Sequence, residues 1–182
     1  MNGTSQALSR KAAAVALLSM GGAFSAPAFA ASSPNTAEAA IVRPLSFVIS
    51  NNLDFGMVIP STTAGTVTLD PFGARTKTGG VTLVGNTHQA ATFAGQGTFN
   101  QRVDVSIGSN SFNLTGPGAP MRVHDLVIGS TPTAVLTTTP QRFRIAAANG
   151  IFNFPVGATL DVGANQAPGH YSGTYTITLQ YF

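Results

Sequence analysis

The sequence predicts an all-β fold, an antiparallel β-sandwich, and three observations favour it. Many short segments alternate between apolar and polar residues, and none shows the 3.6-residue period of a helix. Turn-forming residues separate these segments, with 20 glycines and 11 prolines among 182 residues. The chain is 43% hydrophobic and only 8% charged, which is too apolar for a disordered protein. Many short strands at this spacing are typical of a sandwich or a barrel, and we favour the sandwich.

Residues 1–30 have the three parts of a secretory signal peptide. Arg10 and Lys11 form the positive segment, an apolar stretch follows, and Ala28-Phe29-Ala30 supplies the small residues of a cleavage box. Glycine interrupts the apolar stretch, which is too short for a membrane span. We therefore expect cleavage between Ala30 and Ala31 and export of the remaining chain, with no membrane span in it.

The composition after the leader excludes several classes of function. Removing 30 of 182 residues leaves 152, in which seven basic residues face six acidic ones. The basic residues are scattered along the sequence, whereas nucleic-acid binding needs a basic stripe, so we expect no nucleic-acid partner. The absence of cysteine excludes disulfides and thiolate metal sites. Strand faces rich in Thr, Ser, Asn and Gln leave exposed edges less protected by charge against pairing with another chain.

The elements follow in order after residues 31–38, whose composition is typical of a flexible arm. Breakers such as Gly116-Pro117-Gly118 separate the strands, and within 101–108 the apolar residues Val103, Val105 and Ile107 share one face. One apolar and one polar face are typical of antiparallel sheets. The predicted strands cover 39–49, 53–59, 65–70, 80–84, 90–94, 101–108, 111–115, 121–128, 141–148, 156–162 and 171–181.

The last predicted strand is the most regular. Its apolar face is formed by Tyr171, Gly173, Tyr175, Ile177, Leu179 and Tyr181, and its polar face by the residues between them. Gly169 is fourteenth from the end of the sequence, and Tyr181 is second from it. Periodicity alone is also compatible with an ordinary terminal strand that closes its own sheet.

This C-terminal pattern resembles the motif of chaperone–usher pilins. The motif combines a glycine fourteen residues from the end, alternating apolar residues and a penultimate aromatic. The resemblance implies an immunoglobulin-like sandwich that lacks one strand, which a neighbouring subunit supplies. It also implies recognition of Gly169, Tyr171, Tyr175, Ile177, Leu179 and Tyr181 by a periplasmic chaperone and an outer-membrane usher, and growth of a homopolymer by donor-strand exchange.

A second resemblance covers residues 39–182. Leu53-Asp54-Phe55-Gly56, Gly65-Thr66-Val67-Thr68-Leu69 and Gly169-His170-Tyr171-Ser172-Gly173 follow in an order that is similar to a large family of uncharacterised secreted bacterial domains. It is also similar to the spore coat protein U and archaic-pilin group. Those relatives commonly carry a disulfide near the first strand, and this chain has no cysteine.

The resemblance implies a donor strand in the N-terminal arm of residues 31–43, ahead of a sandwich domain of residues 44–182. Ala37, Ala39 and Ile41 share one face of this arm. Pro44 cannot donate a ladder hydrogen bond, so it suits a break between a donor strand and the first strand of the domain. The other interpretation is that residues 39–49 form one ordinary first strand, and both fit the sequence.

The sequence offers no convincing catalytic or metal-binding motif. Asp54-Phe55-Gly56 matches the kinase magnesium triplet without the other kinase motifs. His88, His124 and His170 lack metal-ligand spacing, and His124-Asp125 lacks the nucleophile elbow of a hydrolase triad. We therefore expect no enzyme activity, no metal and no cofactor.

These observations predict a structural subunit of a bacterial pilus or fimbria, exported through the periplasm to the cell surface. The alternative is a self-contained secreted β-sandwich, such as a coat, matrix or carbohydrate-binding protein, in which residues 39–49 complete its own sheet.

Overall fold

A computed structural model describes residues 38–182, which form thirteen β-strands. No helix in this part of the chain has the length and apolarity that a membrane crossing needs. The strands are β1 (Ser46–Asn51), β2 (Met57–Ile59), β3 (Gly65–Leu69), β4 (Arg75–Gly79), β5 (Thr82–Val84), β6 (Ala91–Gln96), β7 (Arg102–Ile107), β8 (Ser111–Leu114), β9 (Met121–Ile128), β10 (Ala134–Val135), β11 (Gln141–Arg144), β12 (Ile151–Val162) and β13 (Ile177–Tyr181).

The twelve-residue strand β12 is the centre of the largest sheet, which has eight strands. Val156 of β12 lies opposite both Ala91 of β6 and Ile128 of β9. Because a strand residue has one neighbour on each side, β6 and β9 flank β12 on opposite edges. Strand β3 also lies opposite β9, since both pair with residues 159 and 160. Strands β6 and β3 therefore follow one another along the same edge of β12.

Two smaller sheets complete the fold. Strands β11, β7 and β13 form one, in that order, and β2 and β5 form the other. All pairings are antiparallel. The apolar faces of the strands form one core, whose largest fully buried side chains are Leu69, Leu126, Leu136, Val67, Val81, Val123 and Val156. The predicted all-β, antiparallel, sandwich-like architecture is confirmed.

The strand prediction was wrong where the local pattern was weak. Strand β4 was missed because its sequence, RTKTG, has no apolar residue to signal it, and it pairs at the edge of the sheet with β3. The predicted strand 156–162 begins five residues earlier, at Ile151. In the sequence, Pro155 argues against a strand at this position. In the structure its carbonyl accepts a hydrogen bond from the Gly129 N–H, and Gly129 lies beyond the last paired residue of β9. An N–H at residue 155 would point to this same side, where the ladder has already ended, so its absence interrupts no ladder.

Three further predicted strands have different bounds in the structure. The predicted first strand 39–49 begins only at Ser46, and residues 38–45 lie outside any strand. The predicted strand 53–59 is reduced to β2, with an isolated bridge between Asp54 and Gln89. The predicted strand 141–148 ends at Arg144, where the chain turns toward Asn149-Gly150.

Candidate functional site

An apolar groove of about 1140 Å³ opens between two segments that are distant in sequence. Residues 52–60 form one wall and residues 166–173 form the other. The floor consists of apolar side chains from β8, β9 and β12, namely Phe112, Leu114, Met121, Leu160 and Val162. A groove of this size and lining can accept an extended peptide segment or a ligand with several apolar groups.

The apolar side chains of the first wall differ in their exposure. Phe55 is buried in the core, whereas Met57 and Ile59 of β2 are more than half exposed. Arg75 of β4 holds this wall in place: its guanidinium donates hydrogen bonds to the carbonyls of Phe55 (2.8 Å) and Gly85 (2.7 Å). Strand β2 pairs only with β5 among the described residues, so its other edge carries no partner strand.

The second wall is organised around the hydroxyl of Tyr171. This hydroxyl accepts hydrogen bonds from the Gly118 N–H (3.0 Å) and Gln166 Nε2 (2.9 Å), and it donates to the Ala167 carbonyl (2.9 Å). Gly169 has a φ of +150°, and a Cβ there would lie 2.5 Å from Pro117 Cγ. Only glycine fits this approach, so Gly169 has a local structural role whatever binds the groove.

Tyr175 stands at the junction of wall and floor. Its ring stacks on Phe112 with centroids 5.1 Å apart and an interplanar angle of 20°. Burial raises the pKa of the Tyr175 phenol to about 12, because the apolar surroundings disfavour the charged phenolate. The groove therefore has a partly desolvated aromatic pair beside it.

The C-terminal segment was predicted to be one strand over 171–181, and this is wrong for its first half. Ser172 makes an isolated bridge with Thr115 of the β8 side, and regular pairing with β7 starts only at Ile177. On the β7–β8 side of the pairing, Ile107 and Thr115 are eight positions apart, whereas on the C-terminal side Ser172 and Ile177 are five positions apart. The three extra residues lie between Gly108 and Thr115 and interrupt the ladder, since the Gly108 N–H still donates to the Thr176 carbonyl. The side-chain alternation is confirmed for Tyr171, Tyr175, Ile177, Leu179 and Tyr181, which are all buried or half-buried, but not for Gly173, which is exposed.

One edge of β13 has no partner strand among residues 38–182. The Gly108 N–H donates to the Thr176 carbonyl, and the Phe182 N–H donates to the Arg102 carbonyl. Hydrogen-bonded positions alternate in an antiparallel ladder, so the backbone N–H and C=O groups of the even-numbered residues of β13 point toward β7. The backbone N–H and C=O groups of Ile177, Leu179 and Tyr181 therefore point to the open edge.

The structure divides the predicted recognition residues into two groups. Gly169, Tyr171 and Tyr175 line the groove, whereas Ile177 and Leu179 pack in the core near β7. Tyr181 lies away from the groove. Its hydroxyl accepts a hydrogen bond from the Thr98 N–H and donates one to the Arg43 carbonyl, both 2.8 Å long.

Of the predicted donor residues, Ala39 and Ile41 are exposed and lie outside any strand. Ile41 is 97% exposed, the highest value among the large apolar side chains described. Arg43 is the first residue bound to the body of the domain, through Thr98 Oγ1 and Tyr181. Ala37, the signal peptide of residues 1–30 and the cleavage residues Ala30 and Ala31 lie outside the described residues.

Sequence reasoning missed the first wall and the floor of the groove. It predicted a strand over 53–59, but periodicity does not show that Met57 and Ile59 would remain exposed beside Leu160 and Val162. The available signal was that consecutive residues of this predicted strand are apolar, whereas a strand with one solvent-facing side would alternate with polar residues.

The candidate triad residue His124 contacts two carboxylates. Its Nδ1 lies 2.9 Å from Asp125 Oδ2, and its Nε2 lies 3.2 Å from Asp161 Oδ1. Both ring nitrogens are thus occupied by acidic partners. Within residues 38–182, no three His, Asp or Glu side chains are grouped as a metal ion would require.

No match was found among curated proteins or among solved structures. Residues 45–181 match the family described as "Domain of unknown function (DUF4402)". This match spans the groove, both of its walls and the C-terminal segment. Because it covers well over half of the 182 residues, the chain belongs to this family.

Proposed function

We propose that the chain is a structural subunit of a bacterial surface pilus or fimbria, in which the groove accepts the N-terminal arm of a neighbouring subunit. The observation that carries this proposal is the position of the groove: it opens between residues 52–60 and 166–173, and neither β2 nor β13 has a second partner strand in the described chain. In this proposal the immunoglobulin-like sandwich lacks one strand, and the groove is the place of that strand.

Addition of a strand from a neighbour would use both the apolar groove and the open strand edges. An added strand gains main-chain hydrogen bonds at an open edge, and its alternate side chains fill the apolar pockets. On the proposed donor face of Ala37, Ala39 and Ile41, the isoleucine is the one large apolar side chain, and it would contribute about 1.5–3 kcal/mol on burial. That gain is a substantial fraction of the stability of an ordinary domain, about 5–15 kcal/mol. A subunit with a filled groove would therefore be more stable than one with an open groove.

The arm of residues 31–43 is the proposed donor. Its described part makes no strand, and Ile41 exposes nearly its whole side chain. A fully exposed isoleucine gains hydrophobic free energy when it enters an apolar site. Because Arg43 is hydrogen-bonded to Thr98 and Tyr181, the arm leaves the domain from a fixed point.

The same proposal includes export of the subunit through the periplasm and its protection by a chaperone on the way. Before a neighbour's arm arrives, an open groove and an unpaired edge at β13 would promote aggregation. A periplasmic chaperone that pairs with this edge would protect it, and an outer-membrane usher would deliver the subunit to the cell surface. Signal cleavage after Ala30 would free the arm for exchange.

Polymerisation can be tested with purified residues 31–182, a version that lacks residues 31–43, and Ile41→Asp. We expect SDS-resistant ladders on unboiled gels for residues 31–182, none for the truncated chain, and much weaker ladders for Ile41→Asp. Phe72→Asp is the matched control, because Phe72 is also a largely exposed apolar residue but lies in a turn outside the groove. Its ladders should be unchanged.

A stable monomer from every version would contradict the proposal. That result would favour the second candidate, a self-contained secreted coat, matrix or carbohydrate-binding protein, whose core of twenty buried apolar residues would suffice without a neighbour.

A further inference from the structure

The outer face of the β11-β7-β13 sheet carries a concentration of positive charge that the sequence does not show. In the register, Arg144 of β11 lies opposite Arg102 of β7, and Arg142 lies opposite Asp104. The side chains of Arg102, Arg142 and Arg144 are exposed, while the alternating Val103 and Val105 are buried. Three residues that are up to 42 positions apart in sequence thus share one surface.

Within the part of the chain that the structure describes, one of these three arginines has an acidic partner. Arg142 Nε donates to Asp104 Oδ1 at 3.0 Å, and its guanidinium also lies 3.0 Å above the centre of the Phe182 ring. Among residues 38–182, no carboxylate lies within ion-pair distance of Arg102 or Arg144. Arg144 Nη1 instead donates to the neutral Asn100 Oδ1 at 2.7 Å.

Two like charges directly opposite each other in a sheet are unfavourable unless a partner compensates them. The remaining outward side chains of this face, Ser106, Thr178 and Gln180, are uncharged hydrogen-bonding groups. Three of the seven basic residues of the described chain therefore share this face with one carboxylate, Asp104.

We infer that this face binds an acidic polysaccharide, with its sulfate or carboxylate groups held by Arg102 and Arg144. The guanidinium fork matches the geometry of such anions and can bind them through two hydrogen bonds. Arg142 supports the site, because Asp104 and Phe182 fix its position. The hydroxyl and amide groups of Thr178 and Gln180 continue the face and can bind sugar hydroxyls.

A face with two arginines that lack an acidic partner fits a glycan better than a nucleic acid. Duplex DNA is bound through many phosphate contacts, each of which releases counterions. The described chain has seven basic residues against six acidic ones, and Arg75, Lys77 and Arg122 lie on the eight-stranded sheet instead. This inference does not depend on polymerisation, because the face is separate from the groove walls.

The test measures binding of the purified chain to four immobilised probes at low and moderate salt. Heparin supplies sulfate groups, hyaluronate supplies carboxylates, neutral dextran supplies neither, and duplex DNA supplies phosphates. We expect salt-sensitive binding to heparin, hyaluronate or both, and no binding to dextran. Arg102→Gln/Arg144→Gln should weaken binding by at least roughly tenfold, the loss expected for one charge-assisted contact.

The matched control is Lys77→Gln/Arg122→Gln, which removes two positive charges from another part of the surface. It should change binding by less than about twofold if direct contacts, and not the net charge, determine the affinity. Thermal melting checks the fold, and the Arg102/Arg144 variant should melt no lower than the parent because a like-charge pair is removed. The inference is overturned if neither acidic glycan binds, if both double variants lose affinity equally, if dextran binds as well, or if DNA binds as tightly as the glycans.

Discussion

At the scale of single residues, the three tyrosines of the C-terminal segment have different environments. The Tyr171 hydroxyl makes three hydrogen bonds, and the Tyr181 hydroxyl makes two. Within the described chain, the Tyr175 hydroxyl makes none, and its ring stacks on Phe112. Their common face in the sequence pattern suggested a common role, whereas their hydroxyls make different hydrogen bonds.

Tyr171→Phe should lower the free energy of unfolding by about 1–3 kcal/mol, because the Gly118 N–H and the Ala167 carbonyl would each lose a partner. Tyr175→Phe is the matched control and should change it by less than about 0.5 kcal/mol. Urea denaturation of both variants measures the difference. Equal losses would show that the Tyr171 hydrogen bonds do not hold the wall.

Tyr175 also gives a pH dependence. Its folded-state pKa is about 12, above the ordinary value of 10.0, because burial disfavours the phenolate. Below pH 10 the phenol is protonated in both states and its contribution is constant. Between about pH 10 and 12 the unfolded chain loses this proton and the folded chain keeps it, so stability falls as pH rises.

This fall should be smaller in Tyr175→Phe than in the parent, measured as denaturation midpoints across that pH range. A spectrophotometric titration of tyrosinate should likewise lose its late-titrating step in Tyr175→Phe. If the late step persists in the variant, another tyrosine is the buried one.

At the scale of elements, the C-terminal segment behaves as two parts joined at Thr176. The first part follows the loop after β12 and lines the groove, and the second part is β13. The break arises because the chain on the partner side has three extra residues between Gly108 and Thr115. The alternation of apolar and polar residues continues across this break, so the sequence pattern could not show the break.

Gly169→Ala tests how strictly this element is fixed. A Cβ would lie 2.5 Å from Pro117 Cγ at a φ of +150°, so we expect a loss of more than about 1 kcal/mol in stability. Gly108→Ala is the control, because its Cβ would lie no closer than 3.6 Å to Thr176 Cβ. Melting temperatures of the two variants give the comparison, and similar values would remove the structural role of Gly169.

At the scale of the whole molecule, the groove leaves apolar side chains of β2 exposed and those of β8 and β9 only partly covered. In the proposed assembly, a neighbour's arm covers them. Binding of a segment to the folded state alone raises apparent stability in proportion to the logarithm of its concentration. This link between assembly and stability is measurable without a filament.

A synthetic peptide of residues 31–43, added to the chain that lacks them, should therefore raise the melting temperature in a concentration-dependent way. The same peptide with Ile41→Asp should raise it much less, since a carboxylate cannot enter an apolar groove without a large desolvation cost. Calorimetry provides the measurement. Equal effects of the two peptides, or no effect of either, would exclude this groove as the binding site of the arm.

The sequence by itself determined the all-β class, the approximate position of most strands and the alternation of the C-terminal segment. These features are local, because a period of two and the turn residues between strands are written along the chain. It could not show β4, whose polar residues are held by pairing with β3, nor the extension of β12 through Pro155.

Only the tertiary structure decided which edges stay open and which side chains meet. Residues 52–60 and 166–173 form one groove, and Arg102 lies opposite Arg144, because strand order and register bring together positions far apart in sequence. The alternating pattern fixes which face of a strand is buried, but which distant strands pair depends on the packing of the whole core.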